Sequence, residues 1–289
     1  MRPLRSITVA TVDLEGHKML TRILAAVVLL PLLLLIILVL PTIFTAILFG
    51  FLAAIAAYEL LWGTGLVKDL RLIIYTAVMA FLVSMWSYFG ANDTAALIGI
   101  LLFVTALYGE VLASKATLSY EKLTVCMAGG LLIPFMLTAL VRMHSTEQGR
   151  FYILIPFVLA FMSDTGAYFA GCLLGKHKLA PTISPKKTVE GAVGGVLGAV
   201  LGMVVFCLVL QRFFDFQVSY LWAVVYGVLG SLAAMFGDLS FSAIKRQTGI
   251  KDYGNLIPGH GGILDRFDSM TVVAPLAEIL LMLLPVAVK

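Results

Sequence analysis

The stretch VEGAVGGVLGAVLGMVVFCLVL, residues 189–210, decides the fold class of this 289-residue chain. It contains a single charged residue, and apolar runs of about 18 residues or more with so few charges are typical of membrane-spanning helices. Small residues recur at helical spacing, at Gly191, Gly195, Gly198 and Gly202. Because such a stripe lets membrane helices approach closely, we expect this helix to be central to the packing.

The rest of the chain has the same apolar character. Hydrophobic residues make up 61% of it and charged residues 12%. This composition predicts an all-α, polytopic integral membrane protein with about nine transmembrane helices, since a membrane β-barrel would show short alternating strands instead. The predicted spans are residues 23–40, 42–62, 72–90, 94–108, 123–141, 151–175, 189–210, 220–244 and 269–288.

Lysine and arginine are distributed unevenly between the two sides of this predicted bundle. If the N-terminus lies inside, sixteen of the twenty basic residues fall on the cytoplasmic side, which is the side that basic loops mark. We therefore predict a cytoplasmic N-terminus and a multi-pass protein of the cell inner (plasma) membrane. Both long polar connections, residues 176–188 and 245–268, then face the cytoplasm.

The chain divides into three regions by composition. Residues 1–18 form a polar N-terminal tail, residues 19–150 hold N-terminal transmembrane helices, and residues 151–289 form a C-terminal transmembrane catalytic region. Three cysteines lie far apart in apolar surroundings, which does not suggest a zinc site or disulfide framework. The predicted partner is a lipid bilayer, and no nucleic-acid-binding motif is present.

A polar face interrupts the eighth predicted span. Asp238, Ser242 and Lys245 are spaced i, i+4 and i+7, which places them on one side of a helix. A carboxylate within a membrane helix is costly and usually faces water or the protein interior. A functional carboxylate and a buried structural ion pair are both open interpretations.

The polar segment that follows combines glycines with carboxylates. Consecutive amides at Gly261 and Gly262 could form an anion-binding nest, and Asp265 and Asp268 lie one helical turn apart. Oxygen ligands of this kind suit magnesium, which keeps waters and substrate phosphates as further ligands. Asp268 also precedes Ser269 in a pattern typical of a helix start, so the two roles stay open.

A third polar segment lies between residues 161 and 191. Asp164 interrupts an apolar helix there, and Ser184, Lys186, Lys187 and Thr188 lead into the next helix. A helix N-terminus preceded by basic residues favours anions such as phosphate, although basic loops also simply follow the positive-inside rule. Carboxylates for a metal beside cations for phosphates predict phosphoryl or nucleotidyl transfer to a lipid head group.

The run SAIKRQTGIKDYG at residues 242–254, followed by PGHGGILDRFD at 258–268, resembles the signature of phosphatidate cytidylyltransferases, also called CDP-diacylglycerol synthases. The segments SDTGAYFAG and ISPKKTVEG also resemble that family. The resemblance implies that CTP and phosphatidic acid react to give CDP-diacylglycerol and pyrophosphate, with one or two magnesium ions. It covers the chain from about residue 161 to the C-terminus.

We divide the roles among these residues by charge and position. The metal ligands are expected to be Asp265 and Asp238, then Asp268 and Asp164. Catalysis is assigned to Asp265, Asp238, Lys245, Arg246 and His260. Substrate binding is assigned to Lys187, Lys186, Ser184, Thr188, Ser242, Lys251, Gly261, Gly262 and Arg266. An Asp265→Asn variant is expected to keep its fold and lose turnover, and a homodimer is left open.

Several other functions share part of this pattern. The closest are a CTP-dependent lipid-alcohol kinase and a cytidylyltransferase for another lipid, such as an ether lipid. A CDP-alcohol phosphotransferase is disfavoured because the chain has no DGxxAR run. An ion-coupled transporter using Asp164, Asp238 and Glu278 is the non-enzyme alternative, and the glycine-rich loop argues against it.

Overall fold

The computed structural model describes residues 27–90, 93–114, 118–257, 259 and 261–289. Within these residues the protein is almost entirely helical, with two small two-stranded antiparallel sheets. This architecture confirms the prediction of an all-α polytopic membrane protein. The predicted polar tail and the first residues of the first predicted span lie outside the described residues.

The elements run in the following order along the chain. The first half contains α1 (Val27–Leu38), α2 (Thr42–Tyr58), a π-helical segment π1 (Glu59–Gly63), α3 (Leu70–Phe89), α4 (Asp93–Ala113), α5 (Tyr120–Met127), a second π-helical segment π2 (Ala128–Leu132), α6 (Ile133–Leu137) and α7 (Ala139–His144). The second half contains α8 (Gly149–Tyr152), α9 (Leu154–Leu174), β1 (Lys178–Ala180), β2 (Ser184–Thr188), α10 (Val189–Phe214), β3 (Gln217–Val218), α11 (Tyr220–Gln247), α12 (Leu264–Phe267), α13 (Met270–Leu283) and β4 (Ala287–Val288).

Seven helical stretches in the described part of the chain are long and apolar enough to cross a membrane. They are Thr42–Gly63, Leu70–Phe89, Thr94–Ala113, Tyr120–His144, Gly149–Leu174, Val189–Phe214 and Tyr220–Gln247. The first and last predicted spans correspond to the shorter helices α1 and α13. The count of nine crossings and the cytoplasmic N-terminus therefore stay predictions.

The last predicted span ends earlier than expected. Helix α13 has 14 residues, or about 21 Å at 1.5 Å per residue, because Leu284 precedes a proline and such residues disfavour helical geometry. The chain continues as β4, which pairs antiparallel with β3.

Helices α9 and α10 pack backbone against backbone through glycines, as the glycine stripe predicts. A Cβ atom added at Gly198 would come within 2.5 Å of the Met162 carbonyl oxygen, and one at Gly166 would overlap the Gly194 carbonyl oxygen. The expectation that α10 is central to the packing is confirmed for one face, which packs closely on α9 and also on α11, while its opposite face is exposed. That outward face consists of Val193, Leu197, Leu201, Val205 and Leu208.

One buried apolar core includes residues from both halves of the chain. Phe49 and Leu140 belong to it together with Tyr226 and Val273. The Arg142 guanidinium also holds the Glu278 carboxylate through two hydrogen bonds of 2.7 Å, which join α7 to α13. The two transmembrane regions therefore share a core, and the assignment of catalysis to the second region stays a prediction.

Candidate functional site

The C-terminal half of α11 presents the polar face that its sequence predicts. The Ser242 hydroxyl donates to Asp238 Oδ1 at 3.1 Å, and both residues lie one turn apart on the same helix. Asp238 Oδ2 lies 2.5 Å from Nζ of Lys187 on β2. The site therefore brings together two segments that are about fifty residues apart in the sequence.

Strands β1 and β2 form a hairpin that supports Lys187. Thr188 ends the hairpin and begins α10, where its Oγ1 accepts a hydrogen bond from the Gly191 N–H at 3.1 Å. Arg246 Nε donates to the Ile183 carbonyl at 3.1 Å, which connects the end of α11 to the turn of the hairpin. Thr188 and Arg246, both predicted to act in the reaction, thus have structural contacts in this arrangement.

Lys245 lies one further turn along α11 and is paired with Asp265. Its Nζ is 2.9 Å from Asp265 Oδ1, and the two side chains are only 11% and 2% exposed. The ammonium also lies 5.4 Å from the centre of the Tyr253 ring, within the range of a cation–π interaction. A buried ion pair of this kind anchors α12 to α11.

Asp265 also organises the α11–α12 loop, defined as residues 248–263. Its second oxygen, Oδ2, accepts from the N–H groups of Tyr253 at 2.8 Å and of Gly262 at 3.0 Å. Gly261 has a φ of +88°, a conformation that favours glycine. The Gly262 amide proposed for an anion nest is thus bound to a carboxylate here.

Glu59 completes this arrangement from the first half of the chain. Its two oxygens accept from the N–H groups of Ile263 at 3.0 Å and Leu264 at 2.8 Å. Glu59 is not among the site residues predicted from the sequence. An acid at the end of a long apolar run is the only signal it gives, and that signal does not reveal a partner about 200 residues away.

Asp268 lies at the junction between α12 and α13 and is 9% exposed. Its Oδ1 accepts from the Ser269 N–H at 2.7 Å. Asp268 has helical backbone angles, and α13 has no side-chain cap hydrogen bond at its N-terminus, so the expected capping role is not observed. Burial, and then the negative charge of Asp238, raise the pKa of the Asp268 carboxyl to about 7. This interaction means that Asp268 also lies near the polar face of α11.

A cavity of about 330 Å³ lies between α9, α10 and the hairpin, and Lys187 of the Lys187–Asp238 pair lines it. Most of its wall is apolar, and Asp164, Lys186 and Lys187 supply its charged groups. Asp164 interacts electrostatically with Asp238, Lys187 and Arg266. The cavity therefore places apolar surface, cations and carboxylates side by side.

The remaining predicted residues lie around this centre. Ser184 pairs with Ala180 in the hairpin, and the exposed Lys251 is in the α11–α12 loop. Arg266 is exposed on α12 and interacts electrostatically with both Asp164 and Asp268. His260 lies outside the described residues.

The carboxylates of the site can be compared with what a bound metal ion requires. Among the residues that the structure describes, no group of three or more His, Cys, Asp and Glu side chains is placed to hold one ion. Asp238 and Asp265 each form an ion pair with a lysine ammonium group, Asp238 with Lys187 and Asp265 with Lys245. Magnesium is usually held by one or two carboxylates together with waters and substrate phosphates, so the oxygen donors fit such an ion only when substrate contributes ligands.

The chain is similar to several proteins that are named for the same activity. A model of the cytidylyltransferase family matches residues 20–284. A phosphatidate cytidylyltransferase of Staphylococcus saprophyticus is 34% identical over 237 residues, which cover 81% of this chain and 88% of that protein. The corresponding protein of Staphylococcus haemolyticus is 33% identical, with coverage of 82% and 90%. That of Staphylococcus aureus strain COL is 44% identical over 140 residues, covering 48% and 52%.

Proposed function

The chain belongs to the cytidylyltransferase family, and from that premise we propose that it transfers CMP from CTP to phosphatidic acid. The products are CDP-diacylglycerol and pyrophosphate. The staphylococcal relatives named for this activity align with about four fifths of the chain. The observation that carries the proposal is the contact of Lys187 with Asp238 beside a largely apolar cavity. The buried pair of Lys245 with Asp265 lies further along the same polar face of α11.

The cavity suits a substrate that is part lipid and part phosphate. Its apolar wall, formed by residues such as Ala167, Leu179 and Met235, matches the glycerol backbone and upper acyl chains. Lys186 and Lys187 at the same cavity supply cations for phosphate oxygens. The seven helical stretches in the described residues that are long and apolar enough to cross a membrane support a substrate drawn from the bilayer.

Magnesium fits this site through Asp238 and Asp265. Each carboxylate is paired with an ammonium group, so a magnesium ion would bind there by displacing that lysine. Asp268 and Asp164 lie close enough to Asp238 to interact with it electrostatically. When bound with CTP, magnesium would neutralise charge on the phosphate oxygens and so make the α-phosphorus easier to attack.

The residues of the chain supply position and charge for the transfer. A phosphate oxygen of phosphatidic acid attacks the α-phosphorus of CTP, and the bond between that phosphorus and the oxygen bridging to the β-phosphorus breaks. A phosphate oxyanion is already a nucleophile, so no general base is required. Lys187 and Lys245 exchange their carboxylate partners for phosphate oxygens and stabilise the charge that develops on pyrophosphate.

We further propose that the site faces the cytoplasm from the inner (plasma) membrane. The basic residues of the hairpin and of the α11–α12 loop support this orientation through the positive-inside rule. CTP and pyrophosphate are then exchanged with the cytosol, while phosphatidic acid and its product stay in the bilayer. A homodimer stays a prediction.

The position of a radioactive label in CTP tests the proposal. Purified protein with phosphatidic acid, magnesium and α-labelled CTP is expected to give labelled lipid, and γ-labelled CTP is expected to give labelled pyrophosphate only. A lipid-alcohol kinase would instead label its lipid from the γ-position. The magnesium proposal fails if excess EDTA leaves incorporation of the α-label unchanged.

A further inference from the structure

Glu59 is a buried carboxylate that accepts hydrogen bonds from the end of the α11–α12 loop and the start of α12. It is 4% exposed, and its two oxygens accept from the consecutive amides of Ile263 and Leu264. Gly262, the preceding residue, donates its N–H to Asp265. Three successive N–H groups at the start of α12 are therefore bound by two carboxylates, one local and one from another helix.

Two glycines of the loop leave room for this contact. A Cβ atom added at Gly254 or at Gly262 would overlap a carboxylate oxygen of Glu59. Neither glycine has a positive φ, so backbone conformation does not require glycine at these two positions. Close approach to Glu59 is a physical reason for glycine at these positions.

The backbone that carries Glu59 is unusual. Residues Glu59–Gly63 form a π-helical segment at the end of α2, and such segments occur often at functional sites. Gly63 of the same segment packs so closely on the Tyr253 carbonyl oxygen that a Cβ atom would overlap it. The segment thus contacts the loop at both places where the backbone binds Asp265. Gly63 lies against Tyr253, and Glu59 binds Ile263, which follows Gly262.

We propose that Glu59 is a positioning residue for CMP transfer, holding the start of α12 so that Asp265 and Lys245 face the substrates. This inference rests on the proposed function for its link to catalysis. Glu59 acts through backbone amides and does not touch the reacting atoms. It also explains how the first half of the chain contributes to a site whose other residues lie in the second half.

Glu59→Gln is the variant that tests this role, with Glu278→Gln as the matched control. Glutamine keeps one acceptor oxygen but presents an NH2 group to the second backbone N–H. Glu278 is similarly buried, at 8% exposed, but pairs with Arg142 instead of the loop. Both variants lose a buried charge, so comparing them separates general destabilisation from loss of positioning.

Hydrogen–deuterium exchange gives a readout that does not depend on activity. Exchange of the peptide containing Ile263 and Leu264 is expected to speed up at least tenfold in Glu59→Gln and to stay unchanged in Glu278→Gln. Unchanged exchange in Glu59→Gln would overturn the proposal. If wild-type protein showed no CMP transfer while Glu59→Gln still exchanged faster, the proposed function would fail and the contact itself would stand.

Steady-state kinetics test the link to turnover. At saturating CTP and phosphatidic acid, kcat of folded Glu59→Gln is expected to fall by about tenfold to a hundredfold, the effect of a small misplacement of reacting groups. KM for CTP is expected to change less than threefold, and Glu278→Gln is expected to keep the wild-type kcat. A normal kcat in Glu59→Gln, or an equal loss in Glu278→Gln, would contradict a positioning role.

Discussion

Replacing Asp265 by asparagine is expected to destabilise the protein as well as inactivate it. The carboxylate pairs with the buried Lys245 and accepts hydrogen bonds from two backbone N–H groups. Asparagine retains an acceptor for the amides but leaves the lysine ammonium buried without a counter-charge. Breaking a buried ion pair in this way costs about 3–5 kcal/mol, or about 6–20 °C in the thermal midpoint at about 2–4 °C per kcal/mol.

The double variant Lys245→Met with Asp265→Asn isolates the unpaired charge. Methionine has a similar length and no charge, and replacing both partners of a buried ion pair is often close to neutral. We therefore expect the double variant to recover most of the midpoint that Asp265→Asn loses, while neither variant turns over CTP. Thermal unfolding in detergent, monitored by intrinsic fluorescence, measures the midpoints. A midpoint for Asp265→Asn within about 2 °C of wild type, or no recovery in the double variant, would refute the reasoning.

Three further predictions concern other parts of the structure. Asp238→Asn should lower kcat by about a hundredfold or more, the scale for removing one charged group from an electrostatic site; near-normal turnover would make its contact with Lys187 structural. In EDTA, wild type should lose stability as pH rises from about 4 to about 7, because the Asp268 pKa near 7 exceeds its unfolded value of 3.8 and the folded state binds more protons in that window. In Asp268→Asn the thermal midpoint should depend less on pH between pH 5.5 and 8 than it does in wild type. An unchanged dependence on pH would contradict this. Gly198→Ala should lower the midpoint by driving α9 from α10, whereas Leu197→Ala on the exposed face should not.

The fold class and the core of the site could be predicted from the sequence because both depend on local spacing. Apolar runs that are long enough to cross a bilayer as a helix predict membrane helices without any knowledge of the segments packed around them. The i, i+4, i+7 spacing similarly places Asp238, Ser242 and Lys245 on one face of α11, where the structure has them. The glycine stripe predicts the close contact of α9 and α10 for the same reason.

Features that depend on distant partners could not be predicted in this way. The interpretation of Asp265 as a metal ligand replaceable by asparagine without loss of fold did not include its contacts with Lys245, Tyr253 and Gly262, which arise only when α11 and the loop fold together. Glu59 is a stronger example, since its partners are over 200 residues away. The exposed outer face of α10 could not be predicted, because a small-residue stripe specifies one contact face and says nothing about the other.

The most direct test of CMP transfer to phosphatidic acid is the molar ratio of its two products. Purified protein with magnesium, CTP and phosphatidic acid is expected to release one pyrophosphate for each CMP incorporated into lipid, and neither product should form without phosphatidic acid. Release of orthophosphate or CDP without incorporation of CMP into lipid would contradict the account.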